Sequence, residues 1–299
     1  MKFMEGNTLS EKKIKHEKIA IVTESSCDLP KEIIEKYKIS VVPLRIIYPE
    51  KEYSDGVDIT PEEVYARMPG EIPTTSLPSY KDISTVYNRL RNEGFKKILS
   101  IHLSAELSGT VNLIRMIAKE YDDIEIEVID SKNVSIGVGL LVYQAAKYIE
   151  AGINFKDIAE QLQKFKENVK VFFCIPVLDY LKKGGRIGLV SATLGTLLDL
   201  KPIISVNLEG KYYTHAKVRG RKNALEKMVE IVTEIIDSKD TIVFVYHGAA
   251  EEDALVVKAK FVAMSNVKEI FFGKISPSMG VHTGPGLIGI GFMPAAATL

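Results

Sequence analysis

The sequence predicts an α/β protein in two parts, a mostly parallel sheet with covering helices followed by a mixed-sheet α/β domain. Three observations predict it. The chain has 299 residues, enough for about two domains at roughly 150 residues each. From Lys18 to about residue 170, short apolar runs alternate with helical patterns, which indicates βαβ units and a parallel sheet. Beyond that point, Lys201 to Asn207 and Lys211 to Val218 flank Leu208-Glu209-Gly210 and read as a hairpin, which a purely parallel sheet would not contain. The expected division is a flexible leader over 1–17, an N-terminal domain over 18–170 and a C-terminal domain over 171–299.

Each element has its own local signal. Lys18 to Thr23 is a short apolar run, read as a buried strand. Pro30 stands where a first helical residue is favoured and opens a helix over Lys31 to Lys38. Ile39 to Ile47 reads as one strand. Thr60-Pro61-Glu62-Glu63 is a capping box with proline at the first helical position, so a helix starts there. Ser79 and Asp82 open another, which Gly94 ends. Lys97 to Leu103 and Ile124 to Ile129 are strands around a helix over Ser108 to Tyr121. Helices fill Val138 to Ala151 and Phe155 to Asn168, and Val171 to Ile175 is a strand. After the hairpin come a long amphipathic helix over Arg221 to Asp237, a strand over Thr241 to His247 and a helix near 251–264. A strand over Val267 to Ile275 and a last strand in a glycine-rich tail complete the chain.

Composition removes several classes of function. Lys plus Arg equals Asp plus Glu at 39 each, so there is no basic surplus for a nucleic acid. Two cysteines, Cys27 and Cys174, make neither a disulfide framework nor a C-x-x-C site. Cys174, inside Phe172-Phe173-Cys174-Ile175, reads as core, and Cys27 as a small packed residue. The apolar runs fall short of the ~20 residues of a membrane span. Met1 to Lys18 is too charged for a signal peptide, so a cytoplasmic location is expected and the Asn133-Val134-Ser135 sequon carries no weight.

Gly284-Pro285-Gly286-Leu287-Ile288-Gly289 matches G-x-G-x-x-G literally, but ten residues follow it, too few for a dinucleotide-binding unit. No P-loop and no H-E-x-x-H occur, and His16, His102, His215, His247 and His282 lie far apart, so no metal site is expected. Hydroxyls are more informative. Thr23-Glu24-Ser25-Ser26, Thr74-Thr75-Ser76-Leu77-Pro78-Ser79 and Ser104-Ala105-Glu106-Leu107-Ser108-Gly109-Thr110 all lie beside predicted strand ends or helix starts. Such ends converge on the crevice where open α/β sheets bind ligands. Each alone is most simply a helix cap; three in one half-chain point to a site for an anion or carboxylate. Arg186 and His282, each among glycines, suit the same kind of ligand, although a turn on the surface accounts for either alone. A serine with His282 and Asp28 makes a triad on paper, but no G-x-S-x-G elbow is present.

Taken in order, the segments Thr23-Glu24-Ser25-Ser26-Cys27-Asp28-Leu29-Pro30, Thr75-Ser76-Leu77-Pro78-Ser79, Leu107-Ser108-Gly109-Thr110, Gly184-Gly185-Arg186-Ile187, Leu200-Lys201-Pro202-Ile203 and His282-Thr283-Gly284-Pro285-Gly286 resemble the DegV family, over about residues 18 to 293. The resemblance implies a two-domain DegV-like fold that buries a long-chain fatty acid. It implies a binding subunit rather than an enzyme, without a cofactor, that presents the carboxyl group to a separate ATP-binding fatty acid kinase for acyl phosphate formation. Thr75, Ser108 and His282 match the family's carboxylate contacts, and Arg186 and Ser25 match its supporting, phosphate-facing positions. Arg219 and Arg221 fall where the family meets its kinase. Transient contact with a membrane is compatible with this role. Two positions depart from the pattern: Glu24 stands where the family usually has Asp, and Arg219-Gly220-Arg221 where it usually has Arg-Thr-Arg. A serine hydrolase or esterase acting on lipid and a regulatory protein sensing a small anion are the alternatives.

Overall fold

The computed structural model describes residues 17–193 and 199–295. Most of the expected leader, with His16, lies outside these. The N-terminal domain holds a four-stranded, all-parallel sheet in the order β2-β1-β6-β7, built from β1 (Ile19–Glu24), β2 (Ser40–Val42), β6 (Lys97–His102) and β7 (Glu125–Asp130). Ile21 sits opposite Leu99, and Leu99 opposite Glu127. Helices α1 (Lys31–Lys36), α3 (Tyr80–Asn92), α4 (Thr110–Ala118), α5 (Ile136–Glu150) and α6 (Phe155–Phe165) accompany it.

The C-terminal domain is a six-stranded mixed sheet in the order β10-β9-β8-β13-β11-β12. Its strands are β8 (Lys170–Cys174), β9 (Leu200–Val206), β10 (Tyr212–Arg219), β11 (Thr241–Gly248), β12 (Val267–Lys274) and β13 (Leu287–Pro294). The expected hairpin is β9–β10, with Tyr212 opposite Val206. Helices α8 (Arg221–Ile236) and α9 (Glu251–Val262) stand near their expected positions, and Cys174 is buried core. Helix α5 is buried nearly all round because it packs on β1 and β6 of one sheet and on β8 and β13 of the other. Gly139 permits this: a Cβ there would collide with the carbonyl of Cys27.

Three expectations are corrected. The run Ile39 to Ile47 is two strands, because Pro43 has no N–H to continue a ladder. Its second half, β3 (Arg45–Ile47), leaves the parallel sheet for a small antiparallel one between β4 (Glu52–Ser54) and β5 (Thr74–Ser76). The hydroxyl-rich segment at Thr74 is therefore a strand. The glycine-rich tail, expected to hold only a last strand, also contains a short helix, α10 (Pro277–Thr283). The helix expected from Ser108 begins at Thr110, with Gly109 as its cap. Both capping boxes are present: Thr60 with Glu63 opens α2 (Pro61–Arg67), and Ser79 with Asp82 opens α3.

Buried carboxylates join the two domains. Asp28 accepts from the N–H of Ser276 at 2.7 Å and from Ser135 Oγ. Asp55 accepts from the N–H of Ser278 at 3.0 Å and from Ser25 Oγ at 2.6 Å. Burial raises both above the usual carboxylate range, Asp28 to about 7. A carboxyl whose folded value is raised stabilises the fold below its unfolded value, and that contribution is lost as pH rises through the folded value. Wild type should therefore lose stability relative to Asp28→Asn between about pH 4 and 7. Urea unfolding of both proteins across that range checks this; parallel stability curves would show that Asp28 does not titrate in the window.

Candidate ligand site

A cavity of about 200 Å³ lies between β5, the loop before α4, the β9–β10 hairpin and α10. Four of the residues singled out in the sequence line it together: Thr75, Ser108, Arg186 and His282. Leu44, Leu77, Leu103, Leu107, Val134 and Met279 supply its apolar walls. Beyond Val134 and Met279 lies a second, much smaller void, lined mostly by apolar groups including Ile136, Phe172, Phe173 and Leu287.

Each polar group has a partner behind it. Thr75 Oγ1 meets His282 Nε2 at 2.7 Å. Ser108 Oγ accepts from the N–H of Thr110 at 3.3 Å and shares a hydrogen bond with Thr110 Oγ1 at 2.9 Å. Arg186 follows α7 (Asp179–Lys183); it donates from Nε to the carbonyl of Leu107 at 3.2 Å and from Nη1 to that of Gly184 at 2.5 Å. No carboxylate neutralises Arg186 among the described residues.

His282 sits on α10 rather than on a loop, and Gly184 makes room for its ring: a Cβ there would overlap Nδ1. That nitrogen is buried without a partner. Burial, and then the charge of Arg186, pull the imidazole down to about 4. The neutral ring is thus the form present near pH 7.

Tyr212 was not foreseen. It lines the cavity with 3% of its surface exposed, and Phe173 holds its ring edge-on at 5.3 Å. Its hydroxyl makes no hydrogen bond among the described residues. A strand tyrosine carries no sequence signal that separates it from core. Ser25 does not line the cavity: its Oγ donates to Asp55 and accepts from the N–H of Leu44 at 3.0 Å. It stands behind the site as a brace for Asp55. Arg219 and Arg221 also lie elsewhere. Arg219 ends the hairpin strand that Tyr212 begins, and Arg221 pairs with Asp253 at 2.7 Å beside a separate cleft.

The structure also disposes of the paper triad. Asp28 engages Ser135 and Ser276, not His282. A Glu-His-Ser chain does exist: Glu24 Oε2 bonds His102 Nδ1 at 2.5 Å, and His102 Nε2 bonds Ser100 Oγ at 2.8 Å. All three side chains are fully buried, and Ser100 Oγ is closed by Tyr87 at 2.8 Å. Glu24 Oε1 also accepts from Ser26 Oγ at 3.1 Å and from the N–H of Leu103 at 3.2 Å, so the glutamate at this position braces β1 to β6. Among the described residues, no three of His, Cys, Asp and Glu gather as metal ligands would, and no helix is long and apolar enough to cross a membrane.

Comparison with known proteins places this architecture. The family model described as an uncharacterised protein, DegV family, matches residues 18–295. The chain belongs to the DegV family. A DegV domain-containing protein of Clostridium acetobutylicum is 43% identical over 274 residues, 92% of this chain and 98% of that protein. Among solved structures, one from Thermus thermophilus, described as fatty acid binding of a DegV family protein, is 31% identical with a TM-score of 0.86. The match covers 92% of this chain and 99% of that one. A structure from Eubacterium ventriosum described as a stearic acid-binding protein is also 31% identical, with a TM-score of 0.85 and coverage of 92% and 98%.

The electrostatics of this DegV site make a direct prediction. In ligand-free protein, NMR titration of His282 should give a value near 4. Arg186→Gln should raise it, while burial keeps it below the ordinary value of about 6.5. An unchanged titration in that variant would show that the guanidinium does not act on the ring.

Proposed function

We propose that this protein binds a long-chain fatty acid and presents its carboxyl group to a partner kinase that holds ATP and forms the acyl phosphate. The observation that carries the reading is the polarity of the cavity. Its hydroxyls, imidazole and unneutralised guanidinium share a space with six apolar side chains. An anionic head with an apolar tail matches both surfaces. Relatives described as fatty-acid-binding proteins support the choice of ligand. Burying about fifteen methylenes at ~0.8 kcal/mol each supplies on the order of 10 kcal/mol before the costs of association.

The head group is held by donors. With Nε2 of His282 protonated, Thr75 accepts from the ring and gives its own proton to the carboxylate. Ser108 accepts from the N–H of Thr110 and does the same. Arg186 offsets the negative charge, and Tyr212 offers a further hydroxyl. The tail runs between Val134 and Met279 toward the smaller void; methionine is flexible enough to yield there. The chain's part in phosphoryl transfer is positioning, with the nucleotide chemistry on the partner. Arg219 and Arg221 are the residues we assign to contact with that partner, and the cytoplasm is the compartment in which the pair would work. The hydrolase reading loses its one triad-like arrangement to burial, and an anion sensor has no use for the apolar walls.

Native mass spectrometry of protein purified without added lipid should find one intact fatty acid per chain; an empty protein that turns over an ester would contradict the reading. Ser108→Ala should lower lipid retention by about 1.5–3 kcal/mol, the value of a hydrogen bond to a charged group, with little change in melting temperature. A lowered melting temperature at unchanged occupancy would make Ser108 structural only. Because a bound carboxylate favours the imidazolium, lipid should raise the titration of His282 above about 4. Affinity should then strengthen as pH falls through the raised value, and a pH-independent affinity between pH 4 and 7 would remove His282 from the head-group site.

A further inference from the structure

The cleft beside Arg221 shares no lining residue with the lipid cavity. It measures about 800 Å³ and lies between α2, the turn after β11 and the start of α9. Its buried side is rich in hydrogen-bond donors. His247 lines the cleft, is 2% exposed and accepts from the N–H of Ala250 at 3.2 Å through Nδ1, so its proton sits on Nε2. That Nε2–H has no partner among the described residues. Burial pulls the ring below its ordinary value, which keeps it neutral near pH 7. Arg221 Nη1 and Tyr65 Oη, on two other lining residues, are also buried without partners. Helix α9 starts at the same place, with Ala250 as its cap residue and no capping side chain. The amides of its first turn therefore lack the partner that a cap would supply. The exposed side is acidic. Four carboxylates line the cleft, and two are already paired: Glu62 with Lys274 at 2.7 Å and Asp253 with Arg221 at 2.7 Å. The other two, Glu251 and Glu252, are exposed and have no ion-pair partner among the described residues.

We propose that this cleft binds a small zwitterion of the amino acid class, with its carboxylate on His247 and the start of α9 and its ammonium on Glu251 and Glu252. A simple anion would find the donors but also two unanswered carboxylates. A simple cation would find those carboxylates but leave the donors empty and meet Arg221 and Lys274. A ligand that carries both charges satisfies both sides. A carboxylate is also a group that a helix start favours, and here it supplies the cap that an alanine cannot. The Nε2–H of His247 is a neutral donor to the same carboxylate, so the buried side gains no uncompensated charge when the ligand arrives. The proposal goes beyond the lipid reading and stands without it.

The test titrates the full chain with glycine, γ-aminobutyrate, acetate and methylammonium at constant ionic strength. NMR of the His247 imidazole, assigned with His247→Gln, reports contact at the site, and calorimetry gives affinities. In wild type at least one of the two zwitterions should move the His247 signals and bind more tightly than acetate or methylammonium. The double variant Glu251→Gln, Glu252→Gln changes exposed side chains only and should fold normally. It should weaken the zwitterion about two- to fivefold, as expected for an exposed ion pair, without weakening acetate. His247→Phe should weaken zwitterion and acetate alike by about tenfold or more, the loss of a hydrogen bond to a charged group. Should that buried substitution fail to fold, the glutamate variant and the wild-type titrations decide alone. His247 signals that no probe moves, acetate that binds as tightly as both zwitterions, or a zwitterion affinity unchanged in the glutamate variant would each overturn the proposal.

Discussion

Two buried carboxylates hold the short helix α10 against the N-terminal domain, and the geometry of the site depends on that attachment. Asp28 and Asp55 take the N–H groups of Ser276 and Ser278 at the start of the helix. Unpaired buried charges are costly, and here each carboxylate is also met by a serine hydroxyl, Ser135 or Ser25. The start of a helix favours negative charge as well. Met279 and His282 sit further along the same helix and line the cavity. A C-terminal element thus carries two walls of a site whose Thr75 and Ser108 belong to the N-terminal domain.

That arrangement sets the electrostatics. The His282 ring lies close to Gly184, pairs with Thr75 and is kept neutral by burial and by Arg186. Arg186 is itself fixed by the carbonyls of Leu107 and Gly184, which take two of its five N–H donors without cancelling its charge. The result is a positive, hydroxyl-lined wall with an apolar chamber on one side and an open cationic cleft on the other. Hydrogen-bond donors that are already oriented lose little entropy when a ligand arrives.

The sequence made legible what depends on local chemistry. Capping boxes at Thr60 and Ser79 and the turn at Leu208-Glu209-Gly210 fix element starts and the hairpin. The motifs also nominated four residues that now share one cavity. What failed were features decided at long range. Strands of three residues, such as β5 at Thr74–Ser76, have too few positions to show a period, and it is pairing with β3 that makes them strands. Helix α10 contains Gly280 and ends at Gly284, so its turn-forming composition hid it; the carboxylates that hold it are about 220–250 residues away in sequence. For Ser25, only packing shows that its hydroxyl serves Asp55. Tyr212 is one residue of an alternating strand until the cavity beside it is seen.

The central claim is that an anionic head group rests ionised against this wall. Carbon-13 NMR of protein loaded with carboxyl-labelled fatty acid tests it most directly. With Arg186 beside it and hydroxyl donors around it, the carboxyl resonance should keep its ionised shift from about pH 8 down to below the usual carboxylate range near 4. A resonance that titrates at or above the value of an ordinary carboxyl group, or that follows bulk pH as free lipid does, would contradict the account.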